Sequence, residues 1–283
     1  MTVVFLSLAF MKRPFQLYSL FSMCAILVLT MLLGCGREKS YMIRTEIVKV
    51  DSISKIILIT DSLVKPIIYT HVSQLENHPL QKQLFISAVL PSVLITRHHI
   101  EERKHKLENL RDKKHWNKTD SAFYLSILKR YRAQSLDDLL TRVITLPNSI
   151  ILAQAVMETG WGESRFFIQA NNLFGIWSVR EKEQRIAAGK TRSGKTIYLR
   201  SYKNISGSIK DYFEVLASAR AYRDLRKARL QTSDPVMLLP HLKFYSEERT
   251  AYTRKLKKII DQNDLTKYDH FKIDPAYLTE AYN

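Results

Sequence analysis

The chain has 283 residues, 46% of them hydrophobic and 25% charged, and carries a formal net charge of +17. This composition excludes a disordered or collagen-like chain, and the length suits one large domain or two small ones. The two cysteines, Cys24 and Cys35, leave the chain beyond residue 35 without a disulfide, a thiol nucleophile or a thiolate metal site.

The first legible segment is "MKRPFQLYSLFSMCAILVLTMLLGCG", which begins at Met11. Lys12 and Arg13, a long uncharged apolar run and small residues at Gly34-Cys35 make an export signal. The ten residues before Met11 read as an upstream start. Pro14 to Leu33 is also long enough to span a bilayer, so an uncleaved anchor is the alternative. Leu32-Leu33-Gly34-Cys35 resembles the bacterial lipobox, which implies acylation of Cys35 and a lipid anchor in the cell envelope. Gly36 in place of an Asp favours the outer membrane, periplasmic side. In a cytosolic protein the positive charge would suggest nucleic acid. For an exported lipoprotein the available polyanions are lipid head groups and cell-wall carboxylates, so no nucleic-acid partner is expected.

Residues 36–78 alternate in places ("TEIVKVDSISKIILIT") and read as short strands or a tether. Residues 79–140 form a helical extension, with a break or kink expected at Pro91, a second helix over 121–133, and a capping box at Ser135 and Asp138. The central domain, 141–265, opens with a helix from Asn148 to Thr159, capped by Asn148 or Ser149. A further turn of helix is expected over 163–170 and a β-hairpin between about 179 and 202. Helices follow over 207–228, 235–241 and 247–262, leaving 266–283 as a tail. The expected fold class is α+β, predominantly helical, with a small β-hairpin lobe.

Several motifs carry no chemistry. "GKTRSGKT", Gly189 to Thr196, matches the phosphate-loop pattern letter for letter. A phosphate loop needs a buried strand before it and a helix after it, whereas "REKEQRIAA" and "IYLRSY" supply neither, so it reads as a hairpin tip. His98, His99 and His105 lack the spacing of a metal site. Asn117 and Asn204 stand in glycosylation sequons that read as chance. No cofactor or metal is implied.

The stretch that does carry chemistry is "AQAVMETGWGESRF", residues 153–166. Ile151, Gln154, Ala155 and Glu158 share one helical face, so Glu158 sits among apolar and neutral groups. It also lies at the helix end where the dipole is negative, and Trp161 follows one turn later. Desolvation and the dipole together raise a carboxyl's pKa. A carboxyl still protonated near neutral pH can give its proton to a glycosidic oxygen, as the acid of lysozyme does in its apolar, Trp-lined pocket.

"QAVMETGWGESRF" followed by "NNLFGIW" resembles glycoside hydrolase family 73, lysozyme-like N-acetylglucosaminidases that cut cell-wall glycan. "AYRDLRKARL" and "KFYSEERTAYTRKLKKI" are similar to its Bax-type subgroup. The likeness runs from about residue 79 to 265. It implies a lysozyme-like domain with Glu158 as general acid and peptidoglycan glycan strands as substrate. Asn171, Asn172, Phe174 and Gly175 match the loop flooring the cleft, with Gly175 shaping the loop rather than touching sugar. Trp161, Phe174 and Trp177 are candidates for stacking on sugar rings, although buried aromatics more often serve the core. The resemblance also implies a second carboxylate on the β-lobe, for which Glu181 and Glu183 are available, Glu183 being favoured. Tyr245 matches the family's late tyrosine. Tyr252 is next in line, although its spacing is that of a core residue. With two carboxylates, inverting or retaining hydrolysis is open; with Glu158 alone, the substrate's N-acetyl group becomes the nucleophile. Lytic transglycosylation and a silent wall-binding lipoprotein that recruits partners are the alternatives.

Overall fold

The computed structural model describes residues 39–192 and 194–282; Cys35, the export signal and the lipobox lie outside them. Contacts divide the chain into two units, Tyr41–Thr279 and the chain ends. In the unit of the ends, the Ser40 hydroxyl donates to the Ala281 carbonyl at 3.0 Å. The end strands are β1 (Lys39–Ile43) and β8 (Leu278–Tyr282). The site lies wholly within Tyr41–Thr279.

That unit begins with β2 (Glu46–Lys49), β3 (Leu63–Val64) and β4 (Ile67–Thr70). It continues through α1 (Gln81–Asp112), α2 (Lys118–Tyr131), α3 (Leu136–Arg142), α4 (Asn148–Thr159) and α5 (Arg165–Ala170). An antiparallel hairpin, β5 (Arg185–Arg192) with β6 (Lys195–Arg200), precedes α6 (Ile205–Ser218), α7 (Arg223–Gln231), α8 (Pro235–Leu238) and α9 (Thr250–Gln262). A short β7 (Lys272–Ile273) pairs in parallel with β3, as β2 does with β4. The fold is therefore α+β and predominantly helical. "GKTRSGKT" runs from β5 into β6, with a strand on each side of the tip.

The elements form where their ends are satisfied. Asn117 caps α2 in a full capping box with Asp120, so its place in a sequon reflects a helix start. Ser135 accepts from the Asp138 N–H, while the Asp138 carboxylate accepts from the backbone of Gln134, one residue before the cap. α1 runs unbroken through Pro91, so of the expected break or kink the break does not occur. Phe85, Val89, Leu90 and Val93 flank that proline and are fully buried. Burying each such side chain contributes about 1.5–3 kcal/mol, enough together to outweigh the ~3 kcal/mol a helical proline costs. The helix expected over 207–228 is divided instead by a turn at Arg220–Tyr222. Arg226, almost fully buried, donates to the Leu216 and Ala219 carbonyls at 2.8 and 2.9 Å and so closes the end of α6.

At the centre is α4, apolar on every side; Ile150, Ile151, Leu152, Ala153 and Ala155 have no exposed surface. A helix hydrophobic all round must be enclosed, and α1, α9 and the 3₁₀ segment Leu265–His270 pack on it. Its start differs from expectation. Pro147 occupies the cap position, and Asn148 and Ser149 lie inside the helix. The orphan donors of the first turn are met by Asp269, which accepts from the Ser149 N–H at 2.7 Å and its hydroxyl at 2.8 Å. Asn148 bridges the Arg97 guanidinium and the Tyr268 carbonyl, both at 2.6 Å. The segment after residue 265 thus anchors the central helix. Residues 64–75 do likewise from the other end of the sequence: Val64, Ile67, Tyr69, Val72 and Leu75 are all buried in the same core.

Replacing Asp269 with Ala leaves the first turn of α4 without its acceptor and costs about 1–2 kcal/mol, the size of a lost helix cap. Urea denaturation of the variant measures it; an unchanged midpoint would show that the cap is dispensable.

Candidate active site

The last turn of α4 is closed by Gly160, at φ +59° with its N–H on the Val156 carbonyl at 2.9 Å. Trp161 follows at φ +60° and Gly162 at φ +96°. The glycine at 162 is required by space as well as by angle. A Cβ there would stand 3.0 Å from Leu75 Cδ1 and 3.1 Å from Phe85 Cδ2. Thr159 staples the turn, accepting from the Gly162 N–H at 3.1 Å and donating to the Ala155 carbonyl at 2.6 Å. Trp161 packs edge-on against Phe85, ring centroids 5.9 Å apart, with the Lys82 ammonium 5.2 Å from its centroid.

The aromatic group that meets Glu158 is Tyr252 of α9, whose hydroxyl donates to Oε1 of the carboxylate at 3.1 Å. Burial raises the Glu158 pKa above its ordinary 4.5; the Tyr252 hydrogen bond pulls it down, and the negative charge of Glu248 pushes it up. The balance is upward. The other carboxylate oxygen faces the loop after α5. A Cβ at Gly175 (φ +62°) would lie 4.0 Å from Glu158 Oε2 and 3.9 Å from Leu199 of β6. A glycine there leaves room beside the acid.

That loop is fixed by two buried asparagines. Asn171, left-handed at φ +49°, accepts from the His71 N–H at 3.1 Å and donates to the Tyr202 carbonyl at 2.9 Å. Asn172 donates to the carbonyls of Arg200 and Ile176 and accepts from the Ile176 N–H. Phe174 stacks on Tyr212 with centroids 4.3 Å apart. Tyr245 donates to the Phe174 carbonyl at 3.0 Å and lies almost parallel to Tyr252 at 5.6 Å. Burial, then the neighbouring Tyr252 and Glu158, push its phenol pKa well up, so it stays a donor. Trp177 is 49% exposed and bridges to Leu199 of β6.

Glu183 lies elsewhere in the geometry. Its Oε1 accepts from the Ser178 hydroxyl at 2.8 Å and the Val179 and Arg180 N–H groups at 3.0 and 3.1 Å. Its Oε2 pairs with Arg200 at 3.2 Å. Partial burial works to raise its pKa, but these hydrogen bonds and the Arg200 charge hold it below the ordinary value. It clasps the loop to the hairpin. Glu181 is exposed.

Of the residues expected at the site, the structure brings together Glu158, Tyr252, Tyr245, Phe174 and Gly175. Asn171 and Asn172 hold the loop through backbone groups and present almost no surface to a ligand, with 3% and 1% exposed. Trp161 turns to Phe85, so the expected acid–tryptophan contact is replaced by an acid–tyrosine one. Tyr252 is buried as its spacing predicts, yet it is the residue bonded to the acid, whereas Tyr245 supports the loop. Glu248 went unnamed in the sequence, and Gln154 was placed on the face of Glu158 without a role. Gln154 was detectable as an amide on an otherwise apolar helix; the nearness of Glu248 was not. Among the described residues, no group of three or more His, Cys, Asp and Glu could hold a metal ion.

A buried carboxyl with a raised proton affinity, held on one oxygen by a phenol, suits general-acid chemistry. Residues 134–265 match the sequence profile of the glucosaminidase family, described as mannosyl-glycoprotein endo-beta-N-acetylglucosaminidase. With that match, the protein is a glycoside hydrolase. Protein bax of Escherichia coli (strain K12) is 24% identical over 197 residues, which cover 65% of this chain and 70% of that protein. Exo-glucosaminidase LytG of Bacillus subtilis (strain 168) is 25% identical over 146 residues, covering 45% of this chain and 47% of LytG. Among solved structures, the catalytic domain of the Listeria monocytogenes autolysin Auto is 21% identical, with TM-score 0.38, covering 59% of this chain and 96% of that one. The glycoside hydrolase domain of Salmonella typhimurium FlgJ is 22% identical, with TM-score 0.34, covering 49% of this chain and 96% of its own.

A carboxyl whose folded pKa is raised binds its proton more tightly in the native state, so it penalises folding once that proton is lost. Glu158→Gln therefore stabilises the protein at neutral pH, and the gain shrinks as pH falls toward the ordinary carboxyl value of 4.5. Thermal melts of both proteins between pH 4 and pH 8 measure it; a gain that grows on acidification would contradict the raised pKa.

Proposed function

We propose that this protein cuts β-1,4 glycosidic bonds of peptidoglycan after N-acetylglucosamine, with Glu158 as the general acid. The observation that carries the reading is the state of Glu158: desolvated, held on Oε1 by one phenol, and with Oε2 beside Gly175 and free of a hydrogen bond among the described residues. The peptidoglycan substrate is supported by the Asn-Asn-Leu-Phe-Gly loop and by the likeness to bax and LytG. The positive charge of the chain favours an anionic, peptide-bearing wall.

The chemistry follows from which groups are available. Glu158 gives its proton to the leaving O4 as the bond from C1 breaks. Glu183 is occupied by three donors and Arg200, so the carbonyl oxygen of the substrate's own N-acetyl group attacks C1 and forms an oxazolinium ion. Glu158, now a carboxylate, takes a proton from water as that water opens the ring. The product is a reducing N-acetylglucosamine end with the β configuration retained. Tyr252 supports the carboxylate through each exchange, and Tyr245 keeps the loop against the acid. Trp177, half exposed, would stack on a sugar ring. Acylation at Cys35 would fix the enzyme to the envelope, on the periplasmic side of the outer membrane; the Leu-Leu-Gly-Cys sequence supports it.

Digestion of purified peptidoglycan, with products identified by mass spectrometry, tests the reading. Wild type releases reducing N-acetylglucosamine ends, and Glu158→Gln is slower by about 10²–10⁴-fold, the usual worth of a general acid. Glu183→Gln keeps its rate within about tenfold but is less stable by about 0.5–1.5 kcal/mol, because the loop N–H groups and Arg200 lose a charged acceptor. Anhydro-sugar ends would instead establish a lytic transglycosylase. Binding to the wall without cleavage would establish a recruiting protein, and a Glu158→Gln variant as fast as wild type would remove Glu158 from the mechanism.

A further inference from the structure

Gln154 has no exposed surface and stands one turn before Glu158 on a helix packed with Ile, Leu, Ala and Val. A buried amide in such surroundings is costly unless its hydrogen bonds are used. Here they are used in series. Tyr212 of α6 donates its hydroxyl proton to Gln154 Oε1 at 2.5 Å. Gln154 Nε2 donates to the Tyr252 hydroxyl oxygen at 3.0 Å, and that hydroxyl donates to Glu158 Oε1 at 3.1 Å.

The series has one workable direction. Each phenol has a single proton to give. Were the Gln154 amide turned over, Nε2 would face Tyr212, whose proton would have no acceptor among the described residues. Tyr252 would then give its proton to Gln154 and turn a lone pair toward the Glu158 carboxylate. Both changes leave buried groups unmatched.

We propose that Gln154 is a positioning residue: it commits the Tyr252 hydroxyl to donate to Oε1 of Glu158, which leaves Oε2, beside Gly175, as the oxygen that carries the transferable proton. This rests on the proposed role of Glu158 as the acid. Among the described residues Oε2 receives no hydrogen bond. The titratable and charged groups around Glu158 are Tyr252 on α9, Tyr245 in the preceding turn, and Glu248, which is paired with Lys255 at 2.7 Å. None of these performs the same task. Tyr245 is engaged with the Phe174 carbonyl, and Glu248 acts on the acid only by its charge. Gln154 therefore decides which of two chemically equal oxygens faces the substrate.

The test reads Glu158 directly. In protein labelled with ¹³C at the glutamate carboxyl, the Glu158 resonance is assigned by its loss in Glu158→Gln and titrated in wild type, Gln154→Leu and Tyr212→Phe. Without the Gln154 N–H that polarises it, the Tyr252 hydroxyl is a weaker donor to Oε1 and stabilises the carboxylate less, so Gln154→Leu raises the proton affinity of Glu158 by about threefold or more. Tyr212→Phe, which frees the amide to turn, raises it in the same sense by less. On peptidoglycan, kcat falls while KM stays near wild type, and the alkaline limb of the rate profile moves up with the resonance. Unchanged titration in the variants overturns the proposal, whatever happens to the thermal midpoint, because a merely structural glutamine lowers stability without moving that resonance. If Gln154→Leu does not fold, Tyr212→Phe decides alone. A wild type that leaves peptidoglycan intact would refute the proposed function, and the titration would still decide the role of Gln154.

Discussion

The carboxyl of Glu158 is placed by a helix that has no solvent face. α4 is enclosed by α1, α9 and the segment after residue 265, so its one acidic side chain emerges where the helix ends, into a junction lined by tyrosines. Desolvation there favours the protonated acid, and the Tyr252 phenol opposes it by stabilising the ionised form. In the role proposed for Glu158, an acid that gives up a proton and later takes one back needs both influences. Burial alone would trap the proton, and a fully solvated or ion-paired carboxylate such as Glu183 would rarely hold one.

Much of the surrounding structure holds that junction in place. Asp269 and Tyr268 fix the start of α4, and Leu75 and Phe85 press on Gly162 just beyond its end. The buried asparagines pin the loop so that Gly175 lies against the acid, and Glu183 with Arg200 ties the far side of the same loop to the hairpin. The β-hairpin is thus joined to α4 through one short loop, which sets Gly175 beside Glu158. A larger residue at 175 would meet both Glu158 and Leu199 while straining a left-handed backbone.

The sequence made some of this legible and hid the rest for identifiable reasons. The apolar run of α4, the Gly-Trp-Gly stop and the alternation of "KTIYLRSY" are local patterns, so the central helix, the acid at its end and the hairpin could all be read from neighbours in the chain. Asp269, Tyr212 and Tyr252 act on residues 58 to 120 positions away, and periodicity carries no record of such pairings. Tyr252 illustrates the difficulty: its core spacing is real, yet its hydroxyl end meets the acid, because an aromatic ring can fill the core while its polar tip serves a site. Asn148 and Ser149 looked like caps since their side chains suit that position, but Pro147 took it and a distant carboxylate supplied the acceptor. Residues 64–75 are too short in each strand to show a pattern, and only the assembled core reveals their role.

As the proposed acid, Glu158 exchanges a proton whose affinity is set by burial against the Tyr252 hydrogen bond. The pH dependence of kcat/KM on peptidoglycan reports the ionisation of the free enzyme, so comparing wild type with Tyr252→Phe tests it most directly. Loss of the phenol removes the hydrogen bond that favours the carboxylate, so the alkaline limb moves to higher pH. An alkaline limb that stays in place, or moves to lower pH, would contradict it.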